Sequence, residues 1–150
     1  MKISDYLTPE AVELDLNASS KARLLQALSE RAGGRVGLDE GEILAALQNR
    51  EHLGSTGIGS GIAIPHAPIA RLTRPFVFVA RLGKPVDFDS IDGAPVDIVC
   101  LVLTPPDSCA SHLTLLSRIA RVLRSPEALA KLRAALSAQQ LCAVLMDPDE

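Results

Sequence analysis

Two apolar runs limit the kinds of fold open to this chain. Phe76–Leu82 (Phe-Val-Phe-Val-Ala-Arg-Leu) and Val96–Leu103 (Val-Asp-Ile-Val-Cys-Leu-Val-Leu) are dense in β-branched and aromatic side chains. Runs of that length and composition read as buried strands, which need cover on their faces. The rest of the sequence offers that cover as helices. After Ser20, Leu24, Leu25, Leu28 and Ala32 recur at helical spacing until Gly33-Gly34 stops the pattern. Asp39, with Glu42 three residues on, forms a capping box for a second helix with Ile43, Leu44 and Leu47 on its apolar face and Gly54 at its end. Pro105-Pro106-Asp107 opens a third carrying Leu113, Leu116, Ile119 and Leu123, and Ser125-Pro126 starts a fourth with Leu129, Leu132 and Leu136 on one face. Ser137 and Gln140 box a last one, followed by Leu141, Val144 and Leu145. A further strand, Val12–Leu16, alternates apolar and acidic residues. The pattern predicts one α/β domain over residues 1–150, a mixed β-sheet flanked by helices. At 150 residues the chain is long enough for one proper core.

The segment Gly54–Ala67 (Gly-Ser-Thr-Gly-Ile-Gly-Ser-Gly-Ile-Ala-Ile-Pro-His-Ala) carries the functional signal. Glycine lets backbone N–H groups approach a ligand closely, and successive N–H groups in such turns form anion-binding concavities. Thr56, Gly57, Gly59, Ser60 and Gly61 are therefore the candidate phosphate-binding residues. The residue before a proline is pushed into extended backbone, so Ile64-Pro65 ends a strand and aims His66 in a fixed direction. A neutral imidazole can attack phosphorus with one nitrogen while the other, as N–H, is held by an acceptor. His112, in the opening turns of the helix after Asp107, lies where free N–H groups favour negative charge and a histidine can donate to a phosphoryl oxygen. Arg50 comes just before the glycines, and its guanidinium suits phosphate. His52 reads as a cation at a helix C-terminus.

Sharper motifs fail. Gly57-x-Gly59 lacks the third glycine of a dinucleotide fingerprint, no Lys-Ser or Lys-Thr follows as in a P-loop, and Gly57–Gly61 has glycine where a nucleophile elbow needs serine. Asp87, Asp89 and Asp92-Gly93 miss the calcium-loop spacing and read as an acidic surface turn. The three histidines show no zinc spacing, so no metal and no cofactor is expected. A net charge of −3, one Tyr, three Phe and no Trp give no footing for nucleic acid. The longest apolar stretch, Ile98–Leu103, falls far below the roughly 20 residues that span a bilayer. Met1-Lys2-Ile3-Ser4-Asp5 has no signal-peptide character. Cys100, Cys109 and Cys142 are odd in number with no C-x-x-C pair, which fits reduced thiols and a cytoplasmic protein.

The stretch Gly54-Ser-Thr-Gly-Ile-Gly-x-Gly-Ile-Ala-Ile-Pro-His66 resembles the active-site segment of the fructose/mannitol-type IIA proteins of the bacterial phosphoenolpyruvate-dependent phosphotransferase system, most of all their nitrogen-regulatory branch. Arg50-Glu51, the segment Pro85–Asp97 and Ser111-His112-Leu113 extend the likeness over essentially the whole chain. The resemblance implies that His66 is the histidine phosphorylated on Nε2, that His112 is the second active-site histidine, and that Arg50 lies beside them. It implies a small HPr-type histidine phosphocarrier as donor, and regulatory targets such as a transporter subunit or a sensor kinase in nitrogen or potassium control. Two positions depart from the family pattern: Ser60 stands where Asn is usual, and Ala67 where Gly is usual. Two other readings compete. One is a sugar-specific IIA component that passes phosphate to a IIB cysteine. The other is a non-catalytic module that merely holds an anion. Phosphohistidine formation separates the last from the first two, and the acceptor separates those two from each other.

Overall fold

The computed structural model describes residues 2–107 and 109–146, excluding the side chains of residues 109–112. The two apolar runs pair with each other as the centre of the sheet. β5 (Phe76–Val86) and β6 (Val96–Thr104) run antiparallel, with Val77 opposite Val102 and Val79 opposite Cys100. β1 (Val12–Leu16) lies parallel to β5 on one side. On the other side β3 (Ile62–Ala63) and β4 (His66–Pro68) follow one another along β6, both parallel to it, and β2 (Gly57–Gly59) pairs antiparallel with β3 at the edge. The sheet order is β1-β5-β6-β3-β2, so it is mixed, as the sequence implies. Nearly every residue of β6 is buried, which explains why its sequence shows no alternation.

Among the described residues, five α-helices cover the sheet: α1 (Lys21–Val36), α2 (Glu40–His52), α3 (Cys109–Leu123), α4 (Pro126–Ala134) and α5 (Ala138–Leu145). Ser20, Asp39, Ser125 and Ser137 each cap a helix by accepting the backbone N–H three residues on. Three sequence expectations need correction. Gly33-Gly34 does not end α1; the helix runs on to Val36, and Gly37, at φ 71°, forms the left-handed cap. A Cβ on Gly33 would stand 3.0 Å from the Leu38 carbonyl, so that glycine serves the close return of the chain into α2. The buried stripe of α3 is Leu115, Ile119 and Leu123, at spacings of four, which leaves Leu113 66% exposed. Leu136 is 86% exposed because α4 has already ended, and Ala135 takes the third buried position.

Candidate active site

His66 opens β4, and its backbone pairs with Val102 in the buried centre of the sheet. The Pro65 carbonyl also accepts from the Val102 N–H at 3.0 Å, so the histidine stands on a rigid element and not on a loop. Its half-buried ring is engaged at both nitrogens. Nδ1 lies 2.7 Å from the Ile64 carbonyl. A carbonyl only accepts, so Nδ1 carries the proton and Nε2 keeps the lone pair. That lone pair faces Arg50, whose Nε–H donates to it at 3.4 Å.

Arg50 reaches the ring from the last turn of α2, which packs against β4. Its Nη1 also donates to the Gly54 carbonyl at 2.9 Å, which holds the fork in place beside Nε2. A planar guanidinium has five N–H donors, and these contacts occupy Nε and Nη1 only. Burial pushes the His66 imidazole below its ordinary value; the Ile64 hydrogen bond opposes this, the Arg50 charge adds to it, and the Glu51 carboxylate opposes it. The ring is thus biased toward the neutral form that carries a nucleophilic nitrogen.

Glu51, which the family likeness includes beside Arg50 without a role, and Lys21, which the sequence does not single out, both belong to this corner. The Glu51 side chain is only 5% exposed, and it accepts from the Thr56 N–H at 3.1 Å, with its second oxygen on the Thr56 hydroxyl. Lys21 Nζ lies 3.0 Å from Glu51, 3.6 Å from Asp89 and 4.7 Å from the centre of the Phe88 ring. One signal was available. Lys21 is the first residue of α1, where the helix dipole disfavours a cation unless a tertiary partner holds it.

The glycine segment forms one edge of the sheet. Gly57–Ala63 folds as a tight hairpin, with Gly59 opposite Ile62 and Ser60-Gly61 between them. Both turn residues have positive φ, 59° and 83°, as a type I′ turn requires. The N–H groups of Thr56, Gly57 and Ser60 donate to Glu51, to the Ser55 hydroxyl and to Asp92 respectively. A Cβ on Gly57 would collide with Ser90; one on Gly61 would stand 2.6 Å from Arg133 Nη2 and 2.7 Å from Asp97 Oδ1. Close approach is what these glycines provide, and here the groups that approach belong to the protein. Of the predicted site residues, the structure brings Arg50 and His66 into contact and ties Thr56 to them through Glu51. Gly57, Gly59, Ser60 and Gly61 form the hairpin. His52 is exposed at the end of α2. The backbone of His112 lies on α3, and its side chain is outside the described residues.

Residues 5–147 match the family described as phosphoenolpyruvate-dependent sugar phosphotransferase system, EIIA 2. The chain belongs to this family. A nitrogen regulatory protein of Bradyrhizobium diazoefficiens is 43% identical over 148 residues, covering 99% of this chain and 97% of its own length. The nitrogen regulatory protein IIA-Ntr of Neisseria meningitidis superposes with a TM-score of 0.92 at 31% identity, over 96% of this chain and 99% of that one. An Escherichia coli enzyme IIA for mannitol, solved in complex with its phosphorylated enzyme IIB, shares the fold at a TM-score of 0.78 and 17% identity, over 93% and 96% of the two chains. Membership of the EIIA 2 family implies phosphoryl transfer between proteins, and the closely similar relatives are nitrogen regulatory proteins. Within that family, Ala67 needs no glycine: it lies in β4 opposite Leu103, is 1% exposed and has no positive φ. Among the described residues no helix is long and apolar enough to cross a membrane.

Proposed function

We propose that this chain accepts a phosphoryl group on Nε2 of His66 from an HPr-type histidine phosphocarrier. The observation that supports this most is the ring geometry, with Nδ1–H on the Ile64 carbonyl and the Nε2 lone pair beside Arg50. In the step, the Nε2 lone pair forms a bond to phosphorus as the N–P bond of the donor phosphohistidine breaks and its electron pair returns to the donor imidazole. Arg50 shifts from Nε2 onto the phosphoryl oxygens, where its bidentate fork offsets their charge. His112, at the opening of α3, assists as a second donor without itself being phosphorylated, and its loss slows transfer by about 10²–10³-fold at most. With both partners using phosphohistidine, the work of the site is positioning and charge stabilisation, without a metal or cofactor.

The same step is regulatory in this reading. A phosphoryl group adds roughly −1.5 to −2 charge. A cytoplasmic target that buries the His66 face, such as a transporter subunit or sensor kinase in nitrogen or potassium control, then binds the unmodified chain and loses affinity when His66 is phosphorylated. The likeness to nitrogen regulatory proteins supports this outcome. The fold shared with a mannitol IIA solved against its IIB supports a second reading, onward transfer to a IIB cysteine. Incubation with phosphoenolpyruvate and the purified general phosphotransferase proteins, read by intact mass, tests the acceptor step. One phosphoryl group is expected on the wild type and none on His66→Ala. Label that survives in His66→Ala overturns the assignment. Transfer to fructose or mannitol IIB domains as fast as from their own IIA proteins overturns the regulatory reading.

A further inference from the structure

We propose that Glu51, clamped by Lys21, is the positioning residue for the His66 nucleophile, an inference that rests on the phosphoacceptor reading above. A carboxylate shielded from water persists only where its oxygens are occupied. The oxygens of Glu51 are taken by Thr56 and Lys21: Oε1 accepts from the Thr56 N–H at 3.1 Å and pairs with Lys21 at 3.0 Å, while Oε2 takes the Thr56 hydroxyl. Lys21 is itself seated over the Phe88 ring and beside Asp89, so the clamp is anchored outside the turn it holds.

The clamp reaches His66 through one residue, Ile64, whose N–H and C=O lie on either side of its Cα. The Thr56 carbonyl accepts from the Ile64 N–H at 3.0 Å, and the Ile64 carbonyl takes the His66 Nδ1 proton at 2.7 Å. Movement of Thr56 therefore shifts Ile64 and, through its Cα, carries the carbonyl acceptor away from the ring. Arg50, the neighbour of Glu51 on α2, grips the same turn at Gly54 and meets Nε2 directly. Two consecutive helix residues thus govern the two ring nitrogens, Arg50 by contact and Glu51 through Thr56 and Ile64. In this arrangement the Thr56 hydroxyl serves Glu51, and it affects the phosphoryl site only through the tautomer of the ring.

A purely architectural ion pair would alter stability and leave the imidazole of the folded protein unchanged, so the test reads the ring. Long-range ¹H–¹⁵N spectra give the His66 tautomer in the wild type, Glu51→Ala, Glu51→Gln and Thr56→Val. Phosphoryl acceptance from a phosphorylated HPr-type donor gives kcat and KM for the same proteins. The wild type is expected to be Nδ1–H. In Glu51→Ala the Nε2–H form grows in, and kcat falls by about 10- to 100-fold, the usual cost of losing an orienting partner. KM for the donor stays within about twofold, since docking is untouched. Glu51→Gln can remake both Thr56 contacts and recovers most of the tautomer and the rate. Should Glu51→Ala not fold, Thr56→Val carries the test, with a smaller gain of Nε2–H. A folded Glu51→Ala or Thr56→Val protein that keeps only the Nδ1–H tautomer at an unchanged kcat overturns the proposal. A wild type that shows the Nδ1–H tautomer but takes up no phosphoryl group breaks the phosphoacceptor reading instead, and the tautomer alone then decides the positioning.

Discussion

At the Arg50–His66 corner, charged and titratable groups face one another in a half-buried site, and among the described residues the guanidinium uses only Nε and Nη1. At the β2–β3 turn a few residues away, the polar groups are taken up internally: Asp92 holds the Ser60 N–H, and Arg133 holds the Ser60 carbonyl while pairing with Asp97. Both regions belong to one continuous glycine-rich segment. The difference teaches that glycines in a sequence report close approach to the backbone, not the identity of what approaches. At Gly57 and Gly61 it is Ser90, Asp97 and Arg133.

Arg50→Gln is the substitution expected to separate the two regions most widely. It removes the donor beside Nε2, so phosphoryl acceptance should slow by about 10²–10³-fold. Stability, read by urea unfolding, should change by less than about 1 kcal/mol, as for a substitution that touches no core. A rate within a few-fold of wild type would take Arg50 out of the chemistry. Gly57→Ala should do the reverse. The new methyl group collides with Ser90, and overpacking of that kind costs about 1–3 kcal/mol. Acceptance per folded molecule should stay within about twofold of wild type, judged by stopped transfer assays below the unfolding transition. If Gly57→Ala stays folded and loses transfer, the hairpin belongs to the phosphate site and the comparison collapses.

The parts legible in the sequence were those set by local chemistry. Val77–Ala80 and Ile98–Leu103 announce buried strands because both faces of those strands are covered. The placement of His66 at a strand is legible because the Ile64-Pro65 step holds the backbone before it extended. Arg50 is legible from its distance to the glycines. What stayed hidden depends on contacts between distant segments. Lys21 meets Glu51 only after α1 and α2 have packed, and Gly57 meets Ser90 only after the loop following β5 returns past β2. For the same reason Gly33 looked like a stop: tertiary packing against Leu38 overrides a local helix penalty of about 1 kcal/mol.

The electrostatics of the corner supply a third contrast. Burial and Arg50 hold the His66 pKa below its ordinary 6.5. Between that lowered value and 6.5 the unfolded chain binds more protons than the folded one, so stability falls as pH drops through this window and levels off beneath it. Acceptance should be flat above 6.5 and decline only when the folded ring protonates. Arg50→Gln removes one of the lowering causes, so the acidic limb should move to higher pH. An NMR titration of the ring, run on both proteins, checks the sign. A limb that stays still or moves to lower pH would mean that the ring does not feel the guanidinium.

The smallest effect is expected at Ser60, the tip of the hairpin. Its φ of 59° is left-handed, and serine has no side-chain advantage there. Asparagine tolerates that region and is favoured in type I′ turns, so Ser60→Asn should gain a few tenths of a kcal/mol, up to about 0.5. Ser60→Gly removes the same strain but loosens the unfolded chain by a comparable amount, so it should come out near zero. Neither change disturbs the tip's anchors, because Asp92 and Arg133 grip the backbone of residue 60 and its side chain is exposed. Chemical denaturation should therefore rank Asn above Ser and Gly, with phosphoryl acceptance the same in all three. An altered acceptance rate in a folded Ser60→Asn protein would place the side chain of residue 60 beside the phosphoryl group, and the boundary between the two regions would have to be moved to include it.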